Sequence, residues 1–218
     1  MIIGTGGVGR YVYHTIEEIN AESAQWNVIG FIDDDPSKHH LELCGREVLG
    51  GTDWLRSGYV SNVVIAIGDP FARFRVVRRL MSIRQLEYPA IIHPRAWISR
   101  SVRIGQGVII YPGVTINCDV QIGNFSIINM QSAVGHDVVL EDFSTLSPSV
   151  SIGGSSLLGE GAFMGIGSCT IQHVTIGRWS VVGAGATVIS NLPERVVAVG
   201  VPAKVIKPNR HCPGTVTA

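Results

Sequence analysis

Three short runs carry groups able to do chemistry. His136-Asp137 sets an imidazole directly beside a carboxylate. Imidazole takes and gives protons near neutral pH, so it suits a base that deprotonates an attacking amine or hydroxyl. Gly4-Thr5-Gly6-Gly7-Val8-Gly9 is a glycine-rich turn. Between a strand and a helix, such a turn can cradle a diphosphate through backbone N–H groups and the helix dipole. Asp33-Asp34-Asp35 precedes Pro36, and an acidic residue ending a second strand can hold a ribose hydroxyl. Each run has a plainer reading: a solvated His beside a solvated Asp, a lone Gly-rich turn, and an ordinary Asp-Pro turn.

Other reactive residues point elsewhere. Cys44, Cys118, Cys169 and Cys212 show no CxxC pairing and no metal-ligand spacing. Cys118 and Cys169 are expected as small apolar fillers, and His93, before Pro94, as a structural cap. His136 has no near histidine partner, so no metal is expected. No signal-peptide pattern opens the chain, so reduced thiols and a cytoplasmic location are expected. The longest apolar stretches fall far short of the ~20 residues of a spanning helix. The 17 Lys plus Arg balance 17 Asp plus Glu without a basic stripe, which argues against nucleic acid as a partner. Charged residues are only 16% and glycines number 26, a composition suited to a repetitive β architecture or a large subunit interface.

The elements that must position these runs differ between the two halves. Residues 1–90 alternate in the α/β manner. Strands are expected at Met1–Ile3, Asn27–Ile32 and Val63–Ile67, and helices from about Tyr11 to Ala21 and from Arg73 to Leu86. The result is a small parallel sheet, too short for a complete doubly wound dinucleotide domain. From Ile98 onward the period is six. Large apolar residues recur at Ile98, Ile104, Ile110, Ile116 and on to Val188, and only Thr170 breaks the series. Four residues after each stands a small residue or Val, such as Val108, Ser126, Ser144, Ala162 and Ala186. Glycine often follows the aliphatic, as at Gly123, Gly135, Gly153 and Gly177. Period six is not helical. It predicts flat strands joined by tight turns, with one aliphatic pointing inward per turn and three hexads closing a triangular coil. About five coils stack over residues 91–210, and residues 211–218 are expected as a flexible tail. The spacing by itself does not set the handedness.

The hexad series, joined to the Gly-rich α/β half, resembles the hexapeptide-repeat sugar O- and N-acyltransferases, the family of the bacillosamine and perosamine N-acetyltransferases and the sialic acid O-acetyltransferase-like proteins. The residues carrying the resemblance include Gly4 to Arg10, Phe31-Ile32-Asp33-Asp34, Ile92-His93-Pro94, Val134-Gly135-His136-Asp137, Gly165-Ile166-Gly167-Ser168 and Gly200-Val201-Pro202-Ala203-Lys204. The resemblance implies a left-handed parallel β-helix behind a Rossmann-like α/β domain, a homotrimer, and acetyl-CoA as co-substrate in the groove between neighbouring β-helices. It implies His136 as general base with Asp137 raising its basicity, in direct transfer to a nucleotide-linked amino sugar for glycan assembly. It implies nucleotide-sugar contacts at Gly6, Gly7, Val8, Asp33, Asp34 and Gly68, the aspartates near base and ribose. It places Thr145, Gly154, Ile166 and Ala184 along acetyl-CoA, and Lys204 and Lys207 could meet its phosphates. Val8 and Thr145 stand where the family often carries histidine. O-acylation of a sugar or small hydroxylated metabolite, or a non-catalytic nucleotide-sugar-binding scaffold, are the alternative readings.

Overall fold

The computed structural model describes residues 1–83 and 85–214. It divides into two compact units, Met1–Pro94 and Arg95–Ala218. The expected flexible tail lies in part, at 215–218, outside the described residues. No helix among the described residues is long and apolar enough to cross a membrane.

In the first unit, β1 (Ile2–Ile3) is the centre of a three-stranded parallel sheet between β2 (Phe31–Ile32) and β5 (Val64–Ile65). A small antiparallel pair, β3 (Glu42–Leu43) and β4 (Arg46–Glu47), lies between β2 and β5 in the chain. The strands are shorter than expected, and all six residues of the sheet are buried. Full burial on both faces removes the alternation that marks a strand in sequence. Helix α1 spans Gly7–Glu22, four residues earlier than expected. Gly7 and Gly9, which read as loop, belong to its first turn, and Gly6 is its N-cap. Gly9 is required there, since a Cβ on it would lie 1.9 Å from the Gly4 carbonyl oxygen. Helix α2 spans Pro70–Leu80 rather than Arg73–Leu86. Asp69 caps it by accepting the Ala72 amide at 2.6 Å, and Pro70 follows as a first-turn residue.

In the second unit every hexad contributes a two-residue strand to one of three flat parallel sheets. The first face runs Trp97–Ile98, Thr115–Ile116, Ala133–Val134, Ser151–Ile152, Cys169–Thr170 and Thr187–Val188. The second begins at Arg103–Ile104 and ends at Thr175–Ile176. The third includes Ile109–Ile110, Ile127–Ile128, Thr145–Leu146, Phe163–Met164 and Val181–Val182, and finishes in an antiparallel hairpin, Val196–Val199 with Lys204–Pro208. Register advances 18 residues per coil, as in Ile98 to Ile116 to Val134. The coil is a left-handed parallel β-helix.

Two residues per hexad face inward, the aliphatic and the small residue or Val four positions on. The small column is as buried as the aliphatic column: Val120, Ser126, Ser132, Val138 and Ala162 are all 0% exposed. Buried serine hydroxyls are satisfied within the stack, Ser126 to Ser144 at 3.0 Å and Ser132 to the Ser147 carbonyl at 3.1 Å. The glycines after the aliphatics have a separate cause. A Cβ on Gly135 would lie 2.6 Å from the Gly154 nitrogen, and one on Gly153 would lie 2.4 Å from the Ile171 carbonyl carbon, so the next coil can stack only over glycine.

From Ile104 to Val182, the third residue after each position of the aliphatic column is left-handed, with Asp119, Phe125, Asp137, His173 and Trp179 among the non-glycines. At one corner these residues form an aromatic column. Phe125 stacks on Phe143 at 5.4 Å, and the Trp179 ring lies over Gly161.

Candidate active site

The corner between the first and second faces stacks Cys118, His136 and Gly154 at 18-residue intervals. His136 stands at the start of a tight turn whose next residue, Asp137, has φ 57°. Asp tolerates that left-handed conformation better than most residues. The turn holds the Asp137 carboxylate 2.7 Å from His136 Nδ1. Its backbone is tied to both neighbouring coils, by the Asp137 amide to the Cys118 carbonyl at 3.1 Å and by the Ser155 amide to the His136 carbonyl at 2.8 Å. The side chains of both residues are 57% exposed.

With Nδ1 on the carboxylate, Nε2 is the ring nitrogen left for a substrate. It overhangs Gly154, where an added Cβ would lie 2.8 Å from Nε2 and 2.9 Å from Cε1. The absence of a side chain at Gly154 is what makes room for the ring. His173, which had no expected role, donates its amide to the Gly154 carbonyl at 3.0 Å and steadies that turn. Cys118 is half-buried at the outward position of its hexad, in register with His136, and Cys169 is half-buried on the first face beside Thr187. Neither is the inner filler expected of it, because both fall outside the two inward columns.

The four residues expected along acetyl-CoA are not brought together within one chain. Gly154 shares the His136 corner. Ile166 and Ala184, both exposed, stack on the corner between the third and first faces, a full face away. Thr145 is on the third face and only 3% exposed. Lys204 and Lys207 are exposed on the last strand.

In the first unit, Gly6, Gly7, Val8, Asp33, Asp34 and Gly68 all line one cleft of about 360 Å³, at the ends of β1, β2 and β5 and the start of α1. Gly6 and Gly7 have open space where a Cβ would stand. No side chain caps α1, so its first-turn amides remain available to an anion. A Cβ on Gly68 would meet the Val8 side chain at 3.4 Å.

The two aspartates are more engaged than expected. Asp33 accepts the Thr5 amide at 3.2 Å, the Thr5 hydroxyl, the Lys38 ammonium at 3.1 Å and the Asp35 amide at 3.1 Å. Asp34 accepts the Thr52 amide and hydroxyl at 2.8 and 2.9 Å, together with the Arg79 guanidinium. Burial pushes both carboxyls up, but these hydrogen bonds and cations outweigh it and hold both below the ordinary carboxylate value. As they stand, the carboxylates brace the cleft.

Arg73 has no expected role beyond opening the second helix. It is 0% exposed, and Nη1 donates to the carbonyls of Ile67 and Gly68 at 2.6 and 3.1 Å, fixing the turn that forms one wall. A single arginine in a basic run gives no sequence sign of this. Likewise His93 is buried with Nε2 3.2 Å from Glu18 on α1.

Residues 1–80 match the PglD N-terminal domain family. The whole chain is similar to the perosamine N-acetyltransferase of Caulobacter crescentus, whose structure was solved with CoA and GDP-perosamine. Identity is 36%, the match covers 94% of this chain and 95% of that one, and the TM-score is 0.86. The chain belongs to the hexapeptide-repeat sugar N-acetyltransferases. The acetyltransferase domain of PglB from Neisseria gonorrhoeae, solved with acetyl coenzyme A, is 26% identical over 94% of this chain and 97% of that one, with a TM-score of 0.83. Among curated proteins, serine acetyltransferase 3, mitochondrial, of Arabidopsis thaliana is 37% identical over 49 residues, 22% of this chain. The match spans only 12% of that protein's length.

Proposed function

We propose that this protein is a cytoplasmic acetyltransferase that moves an acetyl group from acetyl-CoA to the amino group of a nucleotide-linked amino sugar destined for glycan assembly. The observation that carries the reading is the His136 arrangement: Nδ1 is fixed by Asp137, and Nε2 stands over a position with no side chain. His136 is the general base. The acceptor nitrogen attacks the thioester carbonyl, its proton passes to Nε2, and the C–N bond forms as the C–S bond breaks. CoA leaves as a thiolate that takes up a proton. Asp137 keeps Nδ1 protonated and the ring oriented, and so steadies the imidazolium that forms. A backbone N–H steadies the developing oxyanion. Family membership supports the donor and acceptor class, since similar proteins were solved with CoA, acetyl-CoA and GDP-perosamine.

The placement of the acetyl-CoA residues on two different corners supports a homotrimer. One chain supplies His136 and Gly154, and Ile166 and Ala184 complete the groove only from a neighbouring copy. In the cleft of the first unit, the α1 amides hold the diphosphate of the acceptor.

The test is CoA release from acetyl-CoA with a panel of nucleotide 3-amino and 4-amino sugars, with His136→Ala alongside and the native mass measured. Turnover with one acceptor, its loss in the variant, and a mass three times 23.4 kDa are expected. Acetyl-CoA binding without turnover on any amine, but with turnover on a hydroxyl acceptor, would overturn the N-acetylation reading.

A further inference from the structure

The cleft wall offers little that can read a nucleobase. Its side chains are mostly aliphatic, and its polar groups are already engaged. The Thr5 hydroxyl is given to Asp33, and the oxygens of Asp33 and Asp34 accept from protein donors. Arg79 differs. It stands one helical turn after Val76, which lines the cleft, so both lie on the same side of α2. One end of its guanidinium is anchored on the Asp34 carboxylate at the cleft, and the side chain is still 50% exposed. A guanidinium carries five N–H donors in a planar fork and no acceptor. Among the described residues, the carboxylate of Asp34 is the partner of this fork.

We propose that Arg79, held in place by Asp34, contacts the nucleobase of the acceptor and selects guanine. The inference rests on the reading that this cleft holds a nucleotide sugar. A donor-only fork needs paired acceptors. Guanine presents O6 and N7 side by side, adenine pairs N7 with an N–H₂ donor, and uracil or thymine offers a single carbonyl oxygen on that edge. With the diphosphate on the α1 amides and the ribose towards the end of β2, the base comes to the Asp34 side of the cleft, where Arg79 stands. The Asp34–Arg79 pair sets the fork's orientation, so Arg79 needs little ordering on binding.

The experiment is calorimetric titration of the full chain with GDP, UDP, ADP and inorganic pyrophosphate, repeated on Arg79→Gln and Arg79→Lys. The native protein should bind GDP about tenfold or more tightly than UDP or ADP, the discrimination expected of one bidentate contact. In Arg79→Gln that preference should fall to near unity while pyrophosphate binding stays within about twofold. Arg79→Lys, which keeps the charge and loses the fork, should also lose the preference. Equal binding of GDP and UDP by the native protein, or a GDP preference retained in Arg79→Gln, overturns this inference and leaves the nucleotide cleft standing. A uniform loss of all four ligands in both variants, pyrophosphate included, would mark Arg79 as a structural brace and also overturn it. Failure of the native protein to bind any nucleoside diphosphate overturns the cleft reading and this one together. Thermal melting of each variant confirms that it is folded, as expected for the loss of one half-exposed ion pair.

Discussion

The Nε2 atom of His136 stands where a side chain on Gly154 would begin, 2.8 Å from the Cβ that residue lacks. The imidazole and the vacancy beside it are 18 residues apart in the chain and one coil apart in space.

Gly154→Ala should therefore act on the ring and not on the fold. Its backbone is not left-handed, and the clash is with the end of a side chain that can turn away. A loss of about 10²-fold in kcat is expected from a displaced base, with a nearly unchanged melting temperature. Steady-state kinetics and thermal melting, run together, check this.

His136→Asn should lower kcat by about 10²–10⁴-fold, the usual contribution of a general base. The acetyl-CoA dissociation constant should stay close to that of the parent. Asp137→Asn keeps the shape but loses the negative charge on Nδ1, and should cost less than the loss of the ring. Calorimetry for binding and CoA release for turnover separate the two effects.

Asp33 and Asp34 tie stability to pH. Both carboxyls are held below their ordinary value in the fold. A lowered folded-state pKa gives a contribution fully present above the unfolded value, about 4, and lost as pH falls through the folded one. Asp34→Asn should melt below the parent at pH 7, and the gap should close on acidification below pH ~4. A gap that is constant with pH would sink the assignment.

Removing Arg73 should unfasten the Gly68 turn. Arg73→Met leaves the Ile67 and Gly68 carbonyls without this donor, at a cost of about 3 kcal/mol. Urea denaturation should show that loss, and nucleoside diphosphate binding should weaken with it.

Gly161→Ala tests the stacking of the coils. A Cβ there would lie 2.2 Å from the buried Trp179 ring, at a left-handed φ of 64°. A destabilisation of about 2 kcal/mol is expected, read from denaturation followed by tryptophan fluorescence.

Residues far apart in sequence met because the period placed them so. The six-residue spacing determined the inward aliphatic column and the outward setting of His136, two residues after it, since a strict period repeats the same facing in every hexad. The Gly-rich turn after the first strand likewise led into a helix, as its position suggested. Tertiary structure decided what the spacing could not carry. What satisfies the serines of the small column needed coordinates, because a serine looks polar until the neighbouring coil's carbonyl and hydroxyl are seen to meet it. That Asp33 and Asp34 are bound by Thr5, Thr52, Lys38 and Arg79, and that Arg73 is buried under the Gly68 turn, followed from long-range packing. A carboxylate or a guanidinium carries no local signal of the partner it will meet, because that partner is chosen by the fold and not by its neighbours in the chain.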